Sequence, residues 1–246
     1  MQISVIASGS NGNCCLVEDK GTSILIDAGK SGKQIQRRME NLGKDLEKID
    51  VILLTHAHHD HIAGAGVLSR RYNIPLYMTN QVYSQAKVKL GKIERKSFTM
   101  NGCFKVKNLK INPVITSHNV SSCGFVIDKF GFFTDTGTVT SEMKKIIPKL
   151  NGILLESNHD VEMVKNGHYP YFLKQWILSH EGHLSNEHAS SLIQGQGKNL
   201  SLALLGHLSG NNNTRKAVKN TFESIVKRKM DFHICSRDDA SGSWKL

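Results

Sequence analysis

The chain has 246 residues, enough to bury a sizeable core, and a single domain over residues 1–246 is expected. Thirty-two Lys and Arg against twenty-one Asp and Glu leave a formal charge of +11, scattered through KSGKQIQRR, KVKLGKIERK, KVKNLK and VKRK, which predicts a broad basic face for a polyanion such as nucleic acid. Five cysteines, odd in number and without CxxC spacing, exclude a disulfide framework; with no long apolar window and no basic leader in MQISVIASGSNGNC, the chain is expected in the cytoplasm without membrane insertion.

The first third alternates β-rich runs with turn signals: QISVIAS, CCLVED and TSILIDA read as strands, SGKQIQRRMENLG as a helix, VILLTH as a strand. Residues 60–72 and 80–90 read as helical, with PLYMT a strand between them. A second β-rich group follows in FKVKN, LKINPVITS, CGFVIDK and GFFTDTG. Then come the helical SEMKKIIPKL, the strand GILLES, helical stretches between about 160 and 195, the strand LSLALLGH, a helix near 213–228 and MDFHICS. Strand groups with interspersed helices, repeated twice, predict two packed sheets with helices outside.

The stretch LLTHAHHDHIAGAG places four histidines and an aspartate in six residues where an apolar strand ends. Histidines two apart on extended chain, His56 and His58, point to one side and can share a metal; Asp60 and His61 can then serve a second metal from the following turn. His59 is out of phase and need not be a ligand. One loop cannot supply a dinuclear site, and His118 in VITSHN, Asp135 in FFTDTG and His207 in LLGHLS each follow an apolar run, so each also falls at a strand end.

HAHHDH followed by His118, Asp135 and His207 resembles the metallo-β-lactamase superfamily, in the phosphodiesterase-like branch where an Asp bridges the metals. Secreted lactamases typically carry a Cys at the position matching Asp135, which disfavours antibiotic hydrolysis. SGSNGNCCLVE, ILIDAG, LESNHD, HYPYFLKQWILSHEGHLSNEHAS and LGHLSGNNN resemble the bacterial YycJ (WalJ) group over nearly the whole chain, more than ribonuclease Z or the phosphodiesterase PhnP. The resemblance implies an αββα sandwich of two packed mixed β-sheets flanked by helices. It also implies two divalent metal ions, zinc or manganese with iron accommodated, because an N/O ligand set does not select among them. Carried over, His56, His58 and His118 hold one metal, Asp60, His61 and His207 the other, Asp135 bridges, and Asp27 orients a ligand histidine from behind.

The implied activity is a DNA exonuclease working from the 5′ end of double-stranded DNA in a repair-type role, with a metal-bridging hydroxide attacking phosphorus and Asp60 among the catalytic groups. The alternatives are a hydrolase of small phosphodiesters or thioesters of the PhnP or glyoxalase kind, a ribonuclease, and a non-catalytic metal-holding scaffold that regulates partners. His183 and His159 are candidates to protonate the leaving oxygen, or else cap or support local structure. The Gly-rich SGSNGN turn offers an anion-binding concavity, with Ser10 and Asn13 as site neighbours, and Asn211 in SGNNN borders the His207 loop. YPYFLKQW can stack bases while Lys174 meets phosphate, but the i,i+4 spacing of Phe172 and Trp176 favours a helical face packed on the core.

Overall fold

The β-branched runs near the N-terminus pair as antiparallel hairpins. In the computed structural model, which describes residues 1–246, β1 (Gln2–Ala7), β2 (Cys14–Asp19) and β3 (Thr22–Ile26) form a meander. Lys20 and Gly21, at φ 49° and 70°, supply the two positive dihedrals that a tight turn compatible with strand twist requires. β4 (Val51–Leu53), β5 (Leu76–Met78) and β6 (Arg95–Ser97) then add in parallel, joined by crossovers that contain the helices Gly32–Asn41, Ala65–Tyr72 and Asn80–Leu90. The first of these starts at Ser31, whose hydroxyl accepts from Gln34 N while Gln34 reaches back to Ser31 N, and it buries Ile35 and Met39 one turn apart.

β7 (Phe104–Val106) and β8 (Leu109–Ile115) form a hairpin, and within β8 the chain passes from one unit to a second. Unit 1 comprises Met1–Pro113 and Ser236–Leu246; unit 2 is Val114–Cys235. β9 (Cys123–Ile127) and β10 (Phe130–Phe133) are antiparallel, after which β11 (Gly152–Glu156), β12 (Leu202–Gly206) and β13 (Asp231–Ile234) run parallel to β10. β14 (Gly242–Lys245) returns to pair with β1. The result is two seven-stranded mixed sheets, ordered β14-β1-β2-β3-β4-β5-β6 and β13-β12-β11-β10-β9-β8-β7, with helices between their strands, the fold class expected. In unit 1 Ile6, Leu25, Met39, Ile52, Leu68 and Leu76 share one core, and in unit 2 Phe133, Leu155, Ile193, Leu205 and Phe222 share another.

Two departures from the sequence reading have local causes. The helix expected over 60–72 divides into His59–Ile62 and Ala65–Tyr72, because Gly64 N donates to Ala28 O and any Cβ at Gly64 would meet Lys30 O at 2.3 Å. The helical stretches expected between about 160 and 195 are the three helices Val161–Asn166, Tyr171–Ile177 and Asn186–Gln196, with Pro170 at the N-cap of the second. β6 and β14 went unread because β6 is exposed throughout and β14 is never fully buried, so neither shows the apolar pattern of a strand. No helix is long and apolar enough to cross a membrane.

Leu205, fully buried in β12, tests the core of unit 2. Leu205→Ala should lower stability by about 2–5 kcal/mol, read as a lower urea midpoint with little change in slope.

Candidate metal centre

In unit 1 the site grows from Asp27, the residue after β3, held at φ 60° and fully buried. Its carboxylate accepts from Thr55 N (2.9 Å), Thr55 Oγ1 (2.9 Å) and His61 Nδ1 (2.7 Å). Burial pushes the Asp27 carboxyl above the usual range, opposed by His61 and Thr55. Thr55 Oγ1, its proton given to Asp27, accepts from His56 Nδ1 at 3.0 Å. Both imidazoles therefore carry their proton on Nδ1, and Nε2 is the lone-pair nitrogen of each. That tautomer is the one a metal-binding histidine adopts when an oxygen holds it from behind. His56 lies 4.7 Å from His58 and 4.0 Å from His61 between ring centroids, and His61 Nε2 is 3.5 Å from Asp60 Oδ2.

The backbone fixes these side chains. Asn13 N donates to Asp60 O, Gly29 N to Asn13 O, and Ala28 N to His61 O, each at 2.8 Å. A Cβ on Gly29 would lie 1.6 Å from Asp60 O and 2.6 Å from Asn13 N, so only glycine lets the three loops close up. Asn13 also gives its amide nitrogen to His61 Nε2 at 3.0 Å, which places this expected neighbour on an expected ligand. Ser10 sits at the exposed tip of the same turn, and His59 is exposed.

In unit 2 three parallel strands deliver one group each at their C-terminal ends: Asp135 just after β10, Glu156 at the end of β11, His207 just after β12. Asp135 and His207 take φ 56° and 55°, a conformation that costs non-glycine residues energy and persists where surrounding contacts impose it. Asp135 Oδ1 is 3.4 Å from His207 Nε2 and 3.8 Å from His118 Nε2. His118 gives Nδ1 to the Glu181 carbonyl at 3.0 Å, so it shows the same back-held tautomer as His56 and His61. Burial lowers its pKa and favours the neutral ring. The ligand atoms of Asp135, Glu156, His183 and His207 lie within 4.8 Å of one another, and all but His183 are fully buried. Buried imidazoles and carboxylates without a thiolate suit a divalent ion such as zinc or manganese.

Glu156 is the site residue that sequence reasoning missed. It is fully buried, accepts from Thr136 N (2.8 Å) and Leu184 N (3.3 Å) on Oε2, and takes His183 Nδ1 on Oε1 at 2.6 Å. Its signal was a lone acid ending the apolar run GILLE. Behind it, Asn213 and Asn186 exchange amide hydrogen bonds at 3.0 Å, and Asn158 holds the His207 carbonyl at 2.9 Å. His159 lies beside this network, buried, bridged to Ser185, with no hydrogen-bond partner for Nδ1; burial lowers its pKa to about 4. Asn211 is exposed and donates to the Tyr169 hydroxyl at 2.8 Å.

Two mixed sheets whose strand ends carry clustered imidazoles and carboxylates define a metallohydrolase scaffold. Residues 22–207 match the beta-lactamase superfamily domain, and the chain belongs to that superfamily of hydrolases. It is similar to exodeoxyribonuclease WalJ of Streptococcus pneumoniae serotype 2, 38% identical over 229 residues that cover 89% of this chain and 85% of the relative. It is also similar to exodeoxyribonuclease YycJ of Bacillus anthracis, 32% identical over 241 residues covering 93% and 90% of the two chains. Among solved structures, the metallo-β-lactamase fold protein YhfI of Bacillus subtilis aligns with a TM-score of 0.76 at 18% identity, covering 99% of this chain and 98% of that one. A diphosphatase of the PhnP family aligns at 0.73 and 16%, covering 100% and 97%. These two show the fold; the WalJ and YycJ matches support the resemblance read from the motifs.

Two outcomes follow. Gly29→Ala should lower zinc content after dialysis and reduce thermal stability, because the Asp60 loop must move away from Asn13. His159 stays neutral in the folded chain down to about pH 4, whereas the unfolded chain protonates near 6.5. Its contribution to stability is therefore complete above 6.5 and lost as pH falls toward 4, so urea midpoints should drop over that window, and less steeply in His159→Gln.

Proposed function

We propose that this chain is a metal-dependent nuclease acting on DNA, an exonuclease working from the 5′ end of duplexes in a repair-type role. The observation that carries the reading is that His56, His61 and His118 each give Nδ1 to an oxygen, which presents Nε2 as a lone-pair donor on all three. The substrate class rests on the exodeoxyribonuclease names of relatives that match about nine-tenths of the chain. In this reading two divalent ions bind, His56, His58 and His118 serving one and Asp60, His61 and His207 the other, with Asp135 shared between them. Such ions, when bound, supply an activated water at neutral pH and neutralise charge on phosphate oxygens.

The chain's own groups do the rest. Asp27 and Thr55 hold His56 and His61 in one tautomer, so binding a metal costs no reorientation of either ring. Glu156 accepts the Nδ1 proton of His183 and stabilises its imidazolium, which leaves the Nε2 proton for transfer to the leaving sugar oxygen. His183 is assigned this role over His159 because its ring pairs with a carboxylate and is partly open, whereas burial holds His159 neutral. Ser10, Asn13 and Asn211 border the phosphate path, and the excess of 11 positive charges draws the polyanion.

Metal-stripped protein reloaded with Zn²⁺ or Mn²⁺ should shorten end-labelled duplex DNA. His183→Ala and Glu156→Gln should lower kcat by about 10²–10⁴-fold while metal content is retained, and Asp135→Ala should lose both metal and activity. Turnover of bis-p-nitrophenyl phosphate without cleavage of any DNA or RNA would overturn the nuclease reading in favour of a small-molecule phosphodiesterase.

A further inference from the structure

The spacing of Phe172 and Trp176 suggested a helical face packed on the core, and the structure corrects this. Tyr171 and Phe172 are 77% and 74% exposed, on a helix whose buried anchor is Ile177. Two adjacent large aromatics open to water make an exposed apolar patch of the kind found at interaction surfaces. Pro170 occupies the N-cap of the helix that carries them, Lys174 Nζ donates to Lys165 O at 2.8 Å, and the adjoining Tyr169 hydroxyl accepts from Asn211 in the loop after His207.

One turn beyond Phe172, Trp176 is half-buried, and its ring lies 5.4 Å from His183, edge to face, and 6.1 Å from His118. Phe172 and Trp176, four residues apart, share one face of the helix, so an aromatic face leads from exposed Phe172 toward two histidines of the candidate centre. Lys174 lies on the same helix, its ammonium on the Lys165 carbonyl, and the Lys165 ammonium pairs with Glu162 at 2.8 Å, in a chain with 32 basic residues.

We infer that Tyr171, Phe172 and Trp176 form a stacking platform for unpaired nucleobases at a DNA end. Within a paired duplex only the outermost pair shows a π-face; a frayed or tailed end offers several, together with phosphates for the chain's excess of positive charge. A lipid or protein surface would cover Tyr171 and Phe172 but gives no reason for the aromatic track to run on to His183. The inference rests on the nuclease reading and narrows it: the chain selects ends because bases must be unstacked to reach the platform.

Fluorescence anisotropy on metal-free protein in EDTA tests binding apart from turnover. The probes are one duplex carrying a short unpaired tail and the same duplex with an abasic tail of equal phosphate count. Wild type should bind the base-bearing tail about tenfold more tightly than the abasic one. Tyr171→Ala/Phe172→Ala should bind both as wild type binds the abasic tail, and Phe172→Tyr should keep the preference. Equal affinity for the two tails, or a preference that survives the double substitution, overturns the platform. So does a Phe172-dependent association with phosphatidylglycerol vesicles, or with a second copy of the chain by light scattering, when no tail preference is seen. Failure of the nuclease reading is separate: tail preference would persist while no metal restored DNA cleavage.

Discussion

A carboxylate taken fully out of water is tolerated only when its oxygens are bonded, and each unit of this chain is organised around one such group. Asp27 is satisfied by Thr55 and His61, and Glu156 by Thr136 N, Leu184 N and His183. The requirement works in both directions. The histidines satisfy the acids, and the acids choose which ring nitrogen keeps its proton. Removing Asp27 would leave the buried His61 imidazole without its orienting acceptor, and removing Glu156 would do the same to the half-buried His183.

Placement at strand ends is the second constraint. β3, β10 and β12 are buried apolar segments whose side chains are committed to packing, and chemistry can begin only where the strand stops. The residues at those stops, Asp27, Asp135 and His207, all turn into the left-handed region, which aims a polar side chain away from the strand's own course. The strain is borne by neighbours such as Asn158, whose amide holds the His207 carbonyl.

How much of this was legible in the sequence follows from the same physics. HAHHDH, His118, Asp135 and His207 were readable as candidates because titratable residues stand out after apolar runs, and the buried strands were readable because both faces are hydrophobic. Glu156 looked like the polar end of a strand; only the tertiary fold shows that it is sealed beneath His183. The reciprocal amides of Asn186 and Asn213 are 27 positions apart, and no local pattern announces such a pair. Helical periodicity paired Phe172 with Trp176, but it cannot say which side of a short helix has a neighbour. β6 and β14 lie at sheet edges with exposed residues, so their strand character comes from main-chain pairing with β5 and β1.

The meeting of Asn13, Gly29 and Asp60 is made by peptide groups, so the architecture beneath the loop at residues 56–61 is indifferent to most side chains and intolerant of one carbon atom. A library that randomised the region would divide sharply. Asn11, exposed on its turn, would accept nearly any residue, whereas position 29 would return glycine alone. The information that locates the histidine-rich loop is thus stored largely as absence, in the space where a side chain is missing.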